Sequence, residues 1–471
     1  MSHSPAEGDS QSRFSRLRSC LFADEDIASL VYFRILFGLI MLYEVVRYFR
    51  RDWIARYFIE PTFHFKYYGF EWVHPWPGDG MYYHFAALGV LAACITIGLA
   101  YRISTVLFFL GFTYVFLLEQ ARYLNHFYFV CLISFLMMFI PAHRAFSIDA
   151  RLFPSVRSRT APAWGLWLLR FQMGVVYFYG GLAKLNVDWF RGEPVRTYLR
   201  NRSDDPIFGL LANHEWAVYC IAYSGVLFDL LVVPFLLWRK TRAYAFLIGI
   251  LFHLTNHHLF NIGIFPWFSM GATALFFSPD WPRRLLVKIG IGRANAQQLP
   301  ITGETSAPPV QSFRQGSTLV FALVMTYVAI QLLVPLRQWL YPGDVNWTDE
   351  GHRFSWRMRL RHKVATTKFY VYDPATGKTQ RERPKEVLTD WQNNTMVGRP
   401  DMILQFAHYL AEEARKDGRE RVEVHVESMV ALNYRPKRRL IDPKVDLAAQ
   451  KRSLRPAPWL LRYGNETTDE P

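Results

Sequence analysis

The sequence predicts a multi-pass α-helical membrane protein with about nine transmembrane helices, followed by a C-terminal α+β soluble domain. Three observations carry that expectation. Of the 471 residues, 51% are hydrophobic and 17% aromatic, yet mean hydropathy is only +0.04, so apolar and polar residues are segregated into blocks. From Ile27 to about Leu340 the chain is a succession of long apolar runs, many close to the roughly twenty residues needed to cross a hydrocarbon core. From Tyr341 onward these runs stop, and a polar pattern punctuated by turns begins.

In chain order, residues 1–26 form a polar tail carrying Arg13, Arg16 and Arg18, expected in the cytoplasm. The apolar run that follows has no small-residue cleavage site and reads as a signal anchor. The transmembrane domain is expected over 27–340, with spans at about 27–46, 81–100, 104–120, 125–141, 163–185, 216–237, 243–260, 262–279 and 318–338. Pro266, early in the eighth run, favours a kink or a re-entrant start. Residues 290–317, rich in Gln, Pro, Thr, Ser and Gly, read as a flexible linker inside this domain.

Loop charge sets the orientation. Arg102, the stretch from Arg144 to Arg159, the turn around Arg239, Lys240 and Arg242, and the cluster of Arg283, Arg284, Lys288 and Arg293 all fall on the side of the N-terminal tail. Arg47, Arg50, Arg51 and Arg56 in the first outer loop are the exception. With about nine crossings, the soluble domain over 341–471 lies outside the cytoplasm, and the expected location is a bacterial inner membrane. Within that domain, Lys368 to Tyr372 reads as a strand entering a turn at Asp373-Pro374-Ala375-Thr376-Gly377. Pro400 opens an amphipathic helix with Ile403, Phe406, Ala407 and Leu410 on one face and Gly418 as its stop signal. Val422, Val424 and Val426 alternate with polar residues as a half-buried strand does.

The net charge of +15 does not indicate nucleic acid, because many cations sit in short loops between apolar runs, where lipid headgroups account for them. Cys20, Cys94, Cys131 and Cys220 form no CxxC pair, which gives no support to a disulfide framework or a zinc site.

Lys184 is the first candidate for chemistry. It ends the apolar run that begins at Gly174, where a lysine either snorkels to the interface or, desolvated, presents a neutral amine that acts as a base. Gly180, Gly181 and Ala183 before it permit close approach of a helix or a flat ligand. His253, Asn256, His257 and His258 form a second polar cluster. His253 and His257 share a helix face, but no acidic third ligand stands nearby and no HExxH pattern occurs, so the expectation is a polar cavity lining and no metal. Asn125 and His126 open the fourth run, and His143 and Asp149 follow its end; histidines at helix ends commonly cap or sit at the interface. Arg170, Gln172 and Asp229 are further polar residues within apolar runs, Asp229 being suited to pair with a cation of a neighbouring helix.

These segments carry a resemblance. Arg34-Ile-Leu-Phe-Gly, Phe70-Glu-Trp-Val, Tyr123-Leu-Asn-His, Ser147-Ile-Asp, Gly181-Leu-Ala-Lys-Leu-Asn-Val-Asp-Trp, His253-Leu-Thr-Asn, Asn261-Ile-Gly-Ile-Phe and Phe277-Ser-Pro-Asp-Trp-Pro occur in this order. Ser355-Trp-Arg-Met, Asp401-Met-Ile-Leu-Gln-Phe-Ala and Asp442-Pro-Lys-Val-Asp-Leu follow in the soluble part. Together they resemble a bacterial-type member of the vitamin K-dependent γ-glutamyl carboxylase family, including the HTTM transmembrane unit it shares with other membrane proteins.

The resemblance implies a reaction. Reduced vitamin K is deprotonated by a weak base and reacts with O2, a γ-proton leaves a glutamyl side chain, CO2 adds to the carbanion, and the quinone departs as its epoxide. Lys184 falls on the family's catalytic base and His143 on a histidine implicated in activity. His253 and Asn256 fall on polar residues near the quinone, and Met358 in a segment contributing to the quinone or glutamate pocket. Implied partners are a glutamate-containing peptide or protein, the lipid bilayer and a lipid quinone, with no metal and no nucleic acid.

Two departures stand out: Ala142 and Ala183 replace an asparagine and a second lysine of the animal enzyme. The chain also ends at Pro471, without that enzyme's long C-terminal extension. The topology expected above places His143 and Lys184 at opposite membrane faces. A quinol oxygenase that carboxylates nothing is a variant reading. A non-enzymatic transporter, or a lipid- or quinone-binding protein, is the alternative class, with His253 and Asp229 lining a pathway; no inverted repeat supports it.

Overall fold

A computed structural model describes residues 15–260, 262–291, 315–419, 421–433 and 435–463. The expected tail and linker therefore fall largely outside the described residues. Apolar runs become helices wherever their length allows: α1 (Ala28–Arg50), α2 (Gly80–Ile97), α3 (Tyr101–Leu118), α4 (Asn125–Phe139), α5 (Trp164–Lys184), α6 (Glu215–Leu237), α7 (Arg242–Phe260), α8 (Phe265–Thr273) and α9 (Gln315–Leu333). A short antiparallel pair, β1 (Asp24–Asp26) and β2 (Thr160–Pro162), ties the start of α1 to the start of α5.

Five stretches among the described residues are long and apolar enough to cross a membrane: α1, α2, α3, α6 and Ser317–Leu340. The expectation of about nine is thus met only in part, for two physical reasons. The fourth and eighth expected spans are short: α4 has 15 residues, and α8 has 9, starting at Phe265 with Pro266 in its first turn. The fifth and seventh, α5 and α7, are long enough but carry polar side chains, Arg170, Gln172 and Lys184 on one, His253, Asn256, His257 and His258 on the other.

α5 lies at the centre of the bundle, packed against α4, α6, α8 and α9, while α1 packs on α2 and α2 on α3. Gly98 ends α2 in the left-handed region at φ +66, and a Cβ there would stand 2.4 Å from Ser147 Cβ. Only glycine fits this turn.

In the C-terminal region, β3 (Lys363–Asp373), β4 (Lys378–Glu382), β5 (Glu423–Leu432) and β6 (Arg438–Arg439) form an antiparallel sheet in the order β4-β3-β5-β6. The β3–β4 turn falls at Asp373 to Gly377, whose amide donates to the Asp373 carbonyl at 2.8 Å. α10 (Pro400–Lys416) covers one face, burying Ile403, Phe406, Ala407 and Leu410 against Phe369, Val424 and Val426. Gly418 follows α10 at φ +89, as a stop signal does.

Loops of the bundle enter this second core. Phe65 and Ala121 are buried in it, and Gln405 accepts from the Lys66 amide at 2.8 Å while donating to Gln120 Oε1 at 2.8 Å. Gln392 donates likewise to the Phe63 carbonyl at 2.7 Å and Glu119 Oε2 at 2.8 Å. The sheet region is therefore fastened to the end of the bundle where α4 begins.

Candidate active site

The last turn of α5 delivers Lys184 into a cavity of about 700 Å³ bounded by α4, α5, α6, α7, the residues between α7 and α8, and the segment around Met358. That volume is in the range of small-molecule sites. Lys184 is 8% exposed, and its Nζ is bonded to Oδ2 of Asp229 on α6, itself 5% exposed. Asp229 thus pairs with a neighbouring helix's cation, as its place in an apolar run implied. The Trp189 ring lies with its centroid 5.4 Å from Lys184 Nζ.

Close packing of α5 on α6 depends on two glycines. A Cβ on Gly180 would stand 3.2 Å from Asp229 Oδ2 and 3.3 Å from Met358 Cε; one on Gly181 would stand 2.7 Å from Leu230 Cδ2. Gly180 therefore leaves open the space between the Lys184–Asp229 pair and Met358.

His253 is 2% exposed and its Nε2 lies 2.7 Å from the Tyr177 hydroxyl. Asn256, one turn further along α7, lines the same cavity, as does Met358. The structure therefore brings together Lys184, His253, Asn256 and Met358. His257 turns toward Trp267, with ring centroids 5.4 Å apart. No group of three or more His, Cys, Asp or Glu among the described residues could hold a metal ion.

His143 is not brought to this cavity. It lies beyond the opposite end of α4, stacked on Tyr101 with ring centroids 5.1 Å apart, in a turn organised by two charged residues. Arg34 donates to the Ala142 carbonyl at 2.9 Å, and Asp149 accepts from the Ala100 and Tyr101 amides at 2.7 and 2.9 Å. Burial, reinforced by Arg102, pushes the His143 imidazole down to about 4.

The histidine that does reach the cavity from α4 is His126, together with Asn125, whose Nδ2 donates to the Arg357 carbonyl at 3.2 Å. Sequence reading noted both but placed them at a helix end. The cation-rich end was missed altogether: Arg47, Arg122, Arg357 and Arg359 line it, with Glu44 bonded to Arg47 at 2.6 Å. Glu44 left a signal, a carboxylate inside the first apolar run, whereas Arg47 was counted as loop charge. Arg357 and Arg359 are placed by an irregular segment in which Phe354, Trp356 and Arg359 adopt φ of +63, +55 and +54. Fully buried Trp356 anchors it against Tyr128, ring centroids 5.0 Å apart. Arg357 donates to Gln338 Oε1 at 2.6 Å and Asn346 Oδ1 at 2.8 Å, and burial pulls its guanidinium down to about 10, so it stays charged at neutral pH.

Apolar helices point to an integral membrane protein, and a largely apolar cavity with a few convergent polar groups is its candidate small-molecule site. Residues 22–281 match the HTTM domain family, and residues 316–466 match the family described as vitamin K-dependent gamma-carboxylase, lumenal domain. The chain belongs to the vitamin K-dependent gamma-carboxylase family, and its two domains imply a carboxylase that depends on vitamin K. No solved structure matches it.

Proposed function

We propose that the protein converts peptidyl glutamate to γ-carboxyglutamate, coupled to epoxidation of a reduced quinone, with Lys184 as the base that takes the quinol proton. The observation that carries this reading is Lys184, buried at the end of a cavity it shares with His253, Asn256 and Met358. The lining suits a flat quinol with a lipid tail. Phe228 and Phe252 stack at 3.8 Å between centroids, and Ile248 and Leu251, lining the same cavity, are 58% and 66% exposed on what is then the lipid-facing side of α7. His253 and Asn256 orient the ring, and Met358 and the open space beside Gly180 form its flat wall.

A bound quinol supplies the reducing power with which O2 is turned into a base strong enough to free the γ-carbon for CO2. The protein's share is to hold the ring, receive one proton at Lys184 and keep bulk water out. Arg47, Arg122, Arg357 and Arg359 give the cavity a cationic end suited to a substrate carboxylate. In this reading α4, α5, α7 and α8 complete the membrane domain over 27–340 beside the five clear spans, and residues 341–471 lie outside the cytoplasm. The location is a bacterial inner membrane, with residues 1–26 in the cytoplasm.

Purified protein in detergent, given vitamin K quinol, air, bicarbonate and a short Glu-containing peptide, is expected to form quinone epoxide. His253→Ala and Asn256→Ala should raise KM for the quinol more than they lower kcat. Folded wild-type protein that forms no epoxide would sink the reading.

A further inference from the structure

The turn that holds His143 away from the cavity presents a surface of its own. Between α4 and α5, residues 141–159 contain four arginines, Arg144, Arg151, Arg157 and Arg159, and one acid, Asp149. The acid faces inward: it is buried, accepts from the Ala100 and Tyr101 amides, and its own amide donates to the Gly98 carbonyl at 3.0 Å. Fully buried Arg34 donates to the carbonyls of Ala142, Ala145 and Phe146 at 2.9, 3.3 and 2.5 Å. With its backbone fastened from inside, the loop turns apolar side chains outward. Phe146 takes φ +47, a conformation bulky residues rarely adopt, and is 79% exposed. Leu152 and Phe153 are 61% and 59% exposed, within a run from Arg151 to Ser155 that is exposed throughout.

Single apolar residues on a surface are ordinary, but three on one fastened loop, interleaved with arginines, form a pattern. The neighbouring acids do not neutralise it. Of the three that β1 sets beside β2, Asp26 pairs with Arg283 at 2.9 Å, which leaves Asp24 and Glu25 against the four arginines. Among the described residues, no ion pair takes an arginine of the loop. The loop also lies where the bundle meets the bilayer surface. α6, one of the clear spans, runs antiparallel to α5, Gly174 facing Val233 and Lys184 facing Asp229, so α6 ends on the side where the loop leads into α5. At that end Trp238 and Tyr244 are exposed beside exposed Arg239 and Lys240, aromatic rings and cations at one level, as an interfacial belt requires.

We propose that the loop over 141–159 is a seat for anionic phospholipid. Phe146, Leu152 and Phe153 enter the acyl edge of the leaflet, and the arginines gather acidic headgroups around them. Asp149 and Arg34 serve this seat by satisfying the loop's backbone from within, which keeps the apolar side chains on the lipid side.

The test places an environment-sensitive NBD dye on Leu152→Cys in the full chain, the four native cysteines replaced, in lipid nanodiscs. A nitroxide on the acyl chain of phosphatidylglycerol should quench the dye about threefold more than the same nitroxide on phosphatidylcholine, at equal lipid fraction and low salt. Salt at about 1 M, where the screening length is about 3 Å, should bring the two lipids to the same level. The triple variant Arg151→Gln, Arg157→Gln, Arg159→Gln should do the same at low salt. Dye on Thr376→Cys, on the β3–β4 turn, should respond to aqueous iodide alone and serves as the reference. Phe153→Cys gives a second dye position if Leu152→Cys does not yield monodisperse protein.

Quenching of the loop dye by iodide and by neither lipid would overturn the proposal, placing the loop in water or under a protein partner. Equal quenching by both lipids at low salt would overturn the selection of anionic headgroups.

Discussion

At the scale of single residues, the site depends on what is absent as much as on what is present. Gly180 keeps open the space between Asp229 and Met358, and a side chain there fills it. Gly180→Val is expected to weaken quinol binding at least about tenfold, overpacking by 1–3 kcal/mol being the usual cost of such an insertion. Equilibrium binding of an unreactive quinone analogue checks this, and unchanged affinity would show that the ligand does not use that wall. Lys184 was legible in the sequence because a cation near the end of an apolar run is costly unless it serves something. Its partner Asp229 was legible as a residue in need of a cation, but not as the partner of Lys184, because 45 residues separate them. His126 and His143 bracket α4 and look alike in sequence; only the packing of α4 against α5 shows which end faces the cavity.

At the scale of elements, α5 and the segment around Met358 meet because the C-terminal region is fastened to the bundle at several points. Directly after α5, Asp188, 7% exposed, accepts from Asn433 Nδ2 at 2.8 Å and pairs with Arg435. Removing this carboxylate strands a guanidinium and an amide, and losing a charge-assisted bond of this kind costs about 1.5–3 kcal/mol. Asp188→Ala should therefore speed hydrogen exchange at Val187–Phe190 and around Asn433, and exchange unchanged in both places would show that the contact holds nothing.

A second element-level prediction concerns His352, half-buried beside the Met358 segment. Its Nδ1 faces Arg361 Nη1 at 3.2 Å, which requires an unprotonated ring nitrogen. Desolvation, then the guanidinium groups of Arg357, Arg399 and Arg353, holds the imidazole well below its ordinary 6.5. The unfolded chain then binds the extra proton first, so stability is full above 6.5 and is lost as pH falls below it toward the folded value. The thermal midpoint of wild type should fall between about pH 8 and about pH 5 more than that of His352→Gln, which keeps an acceptor without a titrating ring. Parallel curves would contradict this. Neither contact was legible in the sequence, since His352 meets Arg361 only through the turns of the irregular stretch from Gly351 to Leu360, and 245 residues separate Asp188 from Asn433.

At the scale of the whole molecule, the division into apolar bundle and sheet-bearing C-terminal region was legible because segregated composition is a strong signal, and α10 with its buried face was legible from its period. The span count was not. α5 and α7 carry polar side chains that lower the hydropathy by which a span is recognised: Lys184, His253 and Asn256 line the cavity, while Arg170 and Gln172 bond to neighbouring helices instead. The proposed topology places the β3–β4 turn outside the cytoplasm. Thr376→Cys, in a background where the four native cysteines are replaced, should react with a membrane-impermeant maleimide on intact cells. Reaction only after lysis would reverse the orientation.

The most direct measurement gives purified wild type and Lys184→Ala vitamin K quinol, air, labelled CO2 and a Glu-containing peptide, and follows label in the peptide and quinone epoxide in the same tube. The account predicts both products from wild type and neither from Lys184→Ala that still binds a quinone analogue. Epoxide without label would reduce the protein to a quinol oxygenase, and both products at the wild-type rate from Lys184→Ala would contradict the central claim.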